Sequence, residues 1–438
     1  MFGHTPPNAM KHYYFLLFFL LAAVSCYAQV TLNPKDQNDT LPQPFATKSV
    51  LDFSNVIGWK DDNIPTAPNG FKVTKYADGF NNPRWMYVTP NGDVLVAESN
   101  GSTNIFKKVG GAIIGASKAD NLNKSANRIA LIRQNANGVV TLRTIFLTGL
   151  NQPFGMLVIG NFLYVANTDA LMRYPYKAGQ TRITGKGKKI IDLPAGKHNR
   201  HWTRNLIANS AKTKIYIAIG SGSNIAEDGL ANEILRADIL EINPDGSGMR
   251  VYASGLRNPV GMGWAPGTHT LWTAVNERDY IGDNLVPDYL TSVKEGGFYG
   301  WPYVYFGQHK DPRVKEKMPA LVKKTIVPDV DLGSHTASLG LAFYTEQAFP
   351  ERYHNGAFVA QHGSYNRSAL SGYKVLFIPF ANGRPAGKPQ AFLTGFIANA
   401  EGKKVYGRPV GIVITPDGSM LVTDDISNTI WRVSVDGK

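Results

Sequence analysis

Short apolar segments alternate with polar turns along most of this chain. From Phe71 onward, runs rich in Val, Ile, Leu and Tyr recur at strand length, separated by clusters of Pro, Asn, Asp and Gly. This pattern is typical of β-strands joined by tight turns. No long segment has a helical period, and we expect only short helical turns near 288–294 and 346–353. The pattern predicts an all-β protein.

One unit of this pattern recurs six times. Each copy has a small or Pro-bearing start, an apolar strand, a turn, and a second strand rich in Tyr, Val, Ala and Thr. The copies begin at Pro83, Pro153, Thr203, Pro259, Ser338 and Pro409. Repeats of this spacing favour a propeller over a sandwich, so we predict an all-β, six-bladed β-propeller. Two stacked β domains that divide near Gly179 are the alternative.

The repeat also indicates where a ligand would bind. In a propeller the first strand of each unit lies beside the central channel, so the residues at its start point toward a shared axis. The strand expected at 71–76 precedes the first unit. We expect it to complete the last blade and thereby to protect a sheet edge.

The N-terminus has the organisation of a secretory signal peptide. Lys11 precedes an apolar run at 13–24 that is too short to span a bilayer comfortably, and small residues lie ahead of Gln29. We predict a signal peptide over 1–28, cleaved after Ala28, and a periplasmic or secreted protein without a membrane span. Lipidation of Cys26, the single cysteine of the chain, is the alternative.

The remaining bulk features define the domains and the class of ligand. Residues 29–66 are rich in Asn, Asp, Pro, Thr and Gln and are expected to form a flexible extension ahead of the propeller domain at 67–438.

The formal charge of +13 is spread along the chain without a Lys/Arg block. It therefore favours an anionic small ligand or simple solubility, and we expect no nucleic-acid partner. The GxSxG, HExxH, GxxxxGK[ST] and CxxC signatures are absent.

Polar residues flank several of the predicted first strands. His201 lies before the third strand start, beside basic residues that would keep its ring neutral, which makes it a candidate general base. Arg257 and Asn258 precede the fourth start, where a guanidinium suits a carboxylate, a phosphate or a developing oxyanion. A structural histidine and a salt bridge between blades are the respective alternatives.

Other residues of the same character occupy comparable positions. Gln152 begins the second unit, Arg367 follows the second strand of the fifth, and Arg408 begins the sixth. Several such side chains aimed at one channel predict a planar, polyanionic ligand. The loop at 277–288 mixes acidic residues with Gly282 and offers oxygen ligands for Ca²⁺, with a solvated loop as the alternative.

With these residues assembled, the chain resembles the glucose/sorbosone dehydrogenase family, in its sorbosone/pyranose-dehydrogenase-like branch, over about 69–432. The resemblance rests on NQPFGM (151–156), HWTRNL (201–206), GLRNPVGM (255–262), HTASLGLAFY (335–344), HGSYNR (362–367) and GRPVG (407–411). It implies an exported six-bladed propeller that uses pyrroloquinoline quinone (PQQ) with calcium. The implied reaction is oxidation of an aldose or related sugar, with electrons passing to an external acceptor.

The resemblance also implies roles for individual residues. His201 would take the proton of the sugar hydroxyl, and Arg257 would stabilise charge on the quinone oxygen. Asn258, Gln152, Arg367, Arg408 and, as a contact from the third blade, Asn224 would bind PQQ. The backbone carbonyl groups of Asp279 and Tyr280 would hold calcium.

The chain departs from the soluble glucose dehydrogenases at several of these positions. Asp279 and Tyr280 replace a Gly-Pro pair, Arg200 replaces an Asp before the histidine, and Tyr406 replaces a sixth-blade Arg. These changes argue against glucose as a specific substrate. A metal-dependent six-bladed lactonase and a non-catalytic propeller that binds a glycan or a protein are the alternative functions.

Overall fold

The computed structural model describes residues 1, 41–60, 62–101 and 124–437. Apart from Met1, the predicted signal peptide, including Cys26, lies outside the described residues. Helices in the described part are short: one α-helix, Pro319–Val322, and two 3-10 helices, Leu230–Glu233 and Glu351–Tyr353. Strands make up the rest of its regular structure, which confirms the all-β prediction. This part of the chain has no helix long and apolar enough to cross a membrane.

Six sheets of four or five strands dominate the described residues, and we number them in chain order. Sheet 1 contains Pro83–Val88, Val94–Glu98, Arg128–Gln134 and Val140–Leu147. Sheet 2 contains Met156–Ile159, Phe162–Ala166, Ala170–Pro175 and Lys188–Asp192. Sheet 3 contains Arg204–Ala208, Ile215–Ile219, Asp238–Ile242, Arg250–Ser254 and the parallel strand Gly297–Phe298.

The second half of the chain forms the other three. Sheet 4 contains Pro259–Trp264, Leu271–Val275, Pro287–Val293 and Val330–Ser334. Sheet 5 contains Ser338–Phe343, Ala357–Gln361, Lys374–Ile378 and Gln390–Leu393. Sheet 6 contains Pro409–Ile414, Met420–Asp424, Thr429–Val435 and Phe71–Ala77. A helical turn was expected at 288–294, but Pro287–Val293 is a strand of sheet 4.

Smaller sheets lie outside these six. One joins Asn55–Val56, Lys404–Val405 and Ile397–Asn399. The other two small sheets in the described residues are hairpins. Val304–Tyr305 pairs with His309–Lys310, and Phe380–Ala381 pairs with Arg384–Pro385.

The N-terminal strand of sheet 6 comes from the other end of the domain. Phe71–Ala77 pairs antiparallel with Thr429–Val435, with Val73 opposite Val433. The sequence predicts this pairing for 71–76. Because Phe71–Ala77 and Thr429–Val435 share one sheet, backbone hydrogen bonds join the two ends of this region and one sheet edge is covered.

The first strands of the six sheets follow one another in a closed cycle of contacts. Each contacts the first strand of the next sheet, and Pro409–Ile414 of sheet 6 contacts Pro83–Val88 of sheet 1. Trp85 stacks on Phe154 at 4.7 Å between sheets 1 and 2, and Asn205 Nδ2 donates to Val260 O at 2.7 Å between sheets 3 and 4.

Glycine makes the closest of these approaches possible. It occupies the third position of the repeated unit in four copies, as in PFGM and PVGM. A Cβ on Gly155 would lie 2.5 Å from Leu206 N, and one on Gly261 would lie 2.5 Å from Leu341 N. The backbones of adjacent first strands therefore meet where only hydrogen fits.

The core lies between neighbouring sheets. The second strands Val94–Glu98, Ile215–Ile219, Leu271–Val275, Ala357–Gln361 and Met420–Asp424 are buried throughout. Both faces of these strands pack against apolar side chains, which explains their continuous apolar runs. Burial of one large apolar side chain contributes roughly 1.5–3 kcal/mol to the free energy of unfolding.

Residues 41–60, which we call the docked segment, pack against the sheets. Phe53 stacks on Tyr365 at 5.7 Å, and Asp52 N donates to Tyr365 O at 2.7 Å. Trp59 stacks on Tyr406 at 4.9 Å, and its Nε1 donates to Asp424 Oδ2 at 2.7 Å. The expected loose extension is thus not found for this part of 29–66. Its aromatic side chains bury apolar area that composition alone did not reveal.

Candidate functional site

A cavity of about 910 Å³ opens where the six first strands begin. Its lining includes residues from the ends of strands in all six sheets: Arg84, Gln152, His201, Asn276, His362 and Arg408. Of the residues predicted from the sequence, His201, Gln152 and Arg408 line it. The starts of the repeated units therefore converge on one space, as the repeat predicts.

His201 lies in the wall of this cavity, just before sheet 3. Its Nδ1 atom is 2.9 Å from Ser221 O and 3.0 Å from Ser221 Oγ. Because a carbonyl oxygen only accepts, Nδ1 carries the proton and Nε2 retains its lone pair. Nε2 has no hydrogen-bond partner within the described part of the chain. The backbone of His201 is also held in place, because Arg204 Nη1 donates to His201 O at 2.7 Å.

The surroundings of His201 keep the imidazole neutral. Burial lowers its pKa well below the usual 6.5, and the positive charges of Arg257 and Arg200 lower it further. The hydrogen bond to Ser221 and the charge of Asp279 act in the opposite direction without reversing the shift. A neutral ring with a free Nε2 can accept a proton at neutral pH.

Arg257 lies behind the cavity wall. It is buried, and its Nη1 donates to Glu277 O at 2.5 Å and to Asn276 O at 3.1 Å. Its Nη2 donates to Asn224 Oδ1 at 2.8 Å and lies 3.5 Å from Asp279 Oδ2. Arg257 is thus a fixed positive charge near His201, and it is not among the residues that line the cavity.

Asn224 and Asn258 are also buried and outside the cavity lining. The Asn224 side chain binds two neighbouring residues: Nδ2 donates to Asp279 O at 3.1 Å, and Oδ1 accepts from Asp279 N and from Arg257. Asn224 therefore positions Arg257. Asn258 Oδ1 is buried without a hydrogen-bond partner and packs close to Gly220 and His201.

Asp279 has its oxygen atoms engaged by protein donors. Its carbonyl accepts from Arg313 Nη1 at 2.6 Å and from Asn224. Its carboxylate accepts from Tyr365 Oη at 2.7 Å and lies 3.2 Å from His335 Nδ1. A guanidinium on the carbonyl occupies the position that a cation would need, so Asp279 does not fit the predicted calcium site.

The charge of Asp279 is stabilised in place. Burial raises its pKa, but the hydrogen bond from His335 and the charge of Arg257 bring it down to about 2. Tyr280, the second predicted calcium residue, has a φ of 71°, and its N–H donates to Asn366 Oδ1 at 2.9 Å. The described residues contain no group of three or more His, Cys, Asp or Glu side chains arranged to hold a metal ion.

Sheets 1, 5 and 6 provide a cationic wall of the cavity, and the guanidinium of Arg84 lies over the ring of Trp202, 5.5 Å from its centroid. Arg84 Nη1 lies 2.5 Å from Asp425 Oδ2, and His362 Nε2 lies 2.9 Å from Asp425 Oδ1. Arg408 donates from Nε to His362 O and from Nη2 to Gly363 O, each at 2.8 Å. Arg84, His362 and Arg408 all line the cavity, and sequence reasoning identified only Arg408.

The sequence does contain a signal for Arg84 and His362, the two cavity residues that were not predicted. Arg84 is the second residue of the first unit, where four of the other five copies have Phe, Val or Leu. His362 is the first residue after the second strand of sheet 5. Both positions are comparable with those from which Gln152 and Arg408 were predicted.

Gln152 and Arg367 have different surroundings. Gln152 Nε2 donates to Asn100 O at 2.8 Å, and the residue lines the cavity. Arg367 donates to Ser334 O at 3.2 Å and to Asn284 Oδ1 at 2.8 Å, and it does not line the cavity. The structure therefore brings Gln152, His201 and Arg408 together and leaves Arg367 apart from them.

The sequence model of a family described as TrAA12-like matches residues 65–290 and 311–436. These matches cover most of the chain, so the chain belongs to this family. An uncharacterized protein of Borreliella burgdorferi is 32% identical over 297 residues, which is 65% of this chain and 76% of that protein.

Two further matches are to proteins named for an activity. The aldose sugar dehydrogenase YliI of Escherichia coli is 26% identical over 193 residues, which is 40% of this chain and 50% of that protein. The holo form of the pyranose dehydrogenase PQQ domain from Coprinopsis cinerea superimposes with a TM-score of 0.68 at 20% identity. That match covers 87% of this chain and 100% of the other, and it shows a shared fold.

Proposed function

We propose that this protein is a PQQ-dependent sugar dehydrogenase that oxidises an aldose or related sugar, with His201 as the general base. The observation that carries the proposal is His201 itself. Its ring is neutral, its Nδ1 atom is held by Ser221, and its Nε2 atom is free in a cavity with cationic walls. Membership of the TrAA12-like family and the PQQ domain with the same fold support this activity.

The donors of the cavity suit a planar trianion such as PQQ. Arg84, Arg200, Arg408 and Lys197 line it, together with the amides of Asn100, Gln152 and Asn276. Guanidinium groups carry a permanent positive charge that attracts carboxylates, and the wall of sheets 1, 5 and 6 presents two of them. Arg84, His362, Arg408 and Gln152 would hold the cofactor. When bound, PQQ supplies the redox chemistry, since its quinone takes up a hydride from the sugar carbon.

The protein's own residues provide the proton transfer and the electrostatics. Nε2 of His201 takes the proton of the sugar hydroxyl as the hydride leaves the adjacent carbon, so both bonds break within one step. Together with burial, Arg257 keeps His201 neutral beforehand, and it provides a permanent positive charge for an oxyanion that develops nearby. Asn224 and Asp279 hold that guanidinium in place.

Asp279 is not assigned a role in calcium binding. Its oxygen atoms accept from Arg313, Asn224 and Tyr365, which leaves no room for a metal ion at this residue. Of the two backbone carbonyl groups predicted to hold calcium, those of Asp279 and Tyr280, only the carbonyl of Tyr280 remains a candidate.

The proposal extends to architecture and location. We propose that sheets 1–6 are the six blades of a propeller, a view supported by the closed cycle of contacts between their first strands. Export to the periplasm or the exterior rests on the predicted signal peptide over 1–28. The electrons would pass to a separate acceptor.

Reconstitution tests the proposal. The purified protein is titrated with PQQ while quinone absorbance is followed, and then assayed for reduction of an artificial dye with a panel of aldoses. Saturable PQQ binding and sugar-dependent dye reduction are expected. No dye reduction with any sugar, together with hydrolysis of a lactone, would overturn the proposal in favour of a lactonase.

A further inference from the structure

The cavity is lined by several cationic hydrogen-bond donors and by two carboxylates, Asp169 and Asp228. Its arginine and lysine side chains only donate. The carboxylate of Asp228 is already paired with His198, 2.8 Å from its Nδ1 atom. A sugar presents several O–H groups, each of which needs an acceptor when it leaves water. The free acceptors of the cavity therefore decide which hydroxyl-bearing ligand fits.

Asp169 provides such an acceptor. It lines the cavity at the turn before Ala170–Pro175 of sheet 2 and is partly buried. Its carboxylate makes no hydrogen bond or ion pair within the described residues. A carboxylate held in a concave site without protein donors is suited to bind the donors of a ligand.

The backbone around Asp169 is fixed, so the carboxylate is presented from a rigid turn. Asp169 O accepts from Leu193 N at 2.8 Å, and Thr168 N donates to Asn151 O at 3.0 Å. Thr168 Oγ1 donates to Trp202 O at 2.8 Å and accepts from Asn199 Nδ2 at 2.9 Å. Both polar functions of the Thr168 hydroxyl are thus used within the protein.

The same wall carries an aromatic surface. Trp202 lines the cavity and is partly buried, with its ring 6.2 Å from that of Phe154 in an edge arrangement. The hydrogen bond from Thr168 to Trp202 O ties this residue to the Asp169 turn. An aromatic ring beside a carboxylate matches a sugar, which has apolar C–H faces and polar O–H edges.

We propose that Asp169 binds hydroxyl groups of the sugar and selects neutral sugars over acidic ones. This inference rests on the proposed dehydrogenase function and assigns a substrate class to the same cavity. The two carboxylate oxygens accept from neighbouring hydroxyl groups, and the negative charge repels the carboxylate of a uronic acid. Arg84, His362, Arg408 and Gln152 would hold the cofactor, while Asp169 and Trp202 would contact the sugar.

The test compares Asp169→Asn and Asp169→Glu with wild-type protein, all loaded with PQQ. KM and kcat are measured for the best neutral aldose of a panel and for the corresponding uronic acid. In Asp169→Asn, KM for the neutral sugar should rise by about tenfold to hundredfold, the effect of losing a hydrogen bond to a charged group. PQQ affinity should stay within about threefold of wild type, and the preference for the neutral sugar should fall. Asp169→Glu keeps the charge and should retain part of that preference.

A matched control is Asp192→Asn on the outer strand of sheet 2. It removes one exposed carboxylate that pairs with Lys189 and does not line the cavity, so all parameters should remain unchanged. If Asp169→Asn keeps the wild-type KM values, or loses PQQ affinity in parallel with sugar affinity, this inference is wrong. If wild-type protein neither binds PQQ nor oxidises any sugar, the proposed function fails and this inference with it.

Discussion

His362 Nε2 lies 2.9 Å from Asp425 Oδ1, whereas His201 is held by its Nδ1 atom. His201 and His362, two of the three histidines that line the cavity, are thus anchored through opposite ring nitrogens. Burial and the charges of Arg408 and Arg84 lower the pKa of His362 to about 4, although Asp425 opposes this shift. His362 is therefore also neutral near pH 7, but it lies in the cationic wall with Arg84, which suits a cofactor contact.

The cationic wall leads to a prediction about cofactor affinity. Arg84→Gln removes a guanidinium that lines the cavity, so the dissociation constant for PQQ should rise by about tenfold to hundredfold. Arg367→Gln removes the same charge from a side chain that lies outside the cavity lining and should change PQQ affinity by less than about twofold. Titration of both variants with PQQ, followed by quinone absorbance, checks this. An equal loss in the two variants would show that only the overall charge matters.

The pKa of His201 predicts the acidic limb of the pH profile. Burial, Arg257 and Arg200 lower this pKa, so the active neutral ring persists below pH 6.5, and activity is lost only as pH falls through the lowered pKa. The profile of kcat/KM reports the free enzyme. Arg200→Gln removes one of the lowering charges and should move the limb to higher pH. A wild-type limb at or above pH 6.5 would contradict the assignment.

The contacts between first strands predict a stability effect. Gly261→Ala would place Cβ 2.5 Å from the backbone nitrogen of Leu341, which cannot move without displacing sheet 5. We expect the free energy of unfolding to fall by about 1–3 kcal/mol, as for other overpacked sites. Gly185→Ala is the matched control, because a Cβ there has no atom within 4 Å and the backbone is not left-handed. Urea unfolding of both variants measures the difference, and equal midpoints would refute the close approach.

The strand pattern was predictable because it depends on local chemistry. Apolar runs bounded by Pro, Asn, Asp and Gly mark strands and turns, and the six starts read from the repeat lie at or within three residues of the first strands of sheets 1–6. The positions of Gln152, His201 and Arg408 follow from the same rule, since each lies just before a first strand. The pairing of the strand predicted at 71–76 with the last strand follows from the need to cover a sheet edge.

Other features depend on tertiary contacts that no local pattern encodes. The amide of Asn224 contacts Arg257 and Asp279, whose approach depends on loop conformation. Arg313 reaches the Asp279 carbonyl from 34 residues further along the chain. The composition of the docked segment is mostly polar, and composition led to the prediction of a flexible extension. The few aromatic residues that anchor the segment, such as Trp59, change its average composition little.

The most direct test of the account is His201→Gln, measured for PQQ binding and for single-turnover sugar oxidation on the same sample. Glutamine preserves much of the side-chain volume but cannot accept the proton as an imidazole does. We expect PQQ affinity to stay within a few-fold of wild type while the rate falls by about 100-fold to 10,000-fold, the typical contribution of a general base. A variant that binds PQQ and oxidises sugar at the wild-type rate would contradict the central claim.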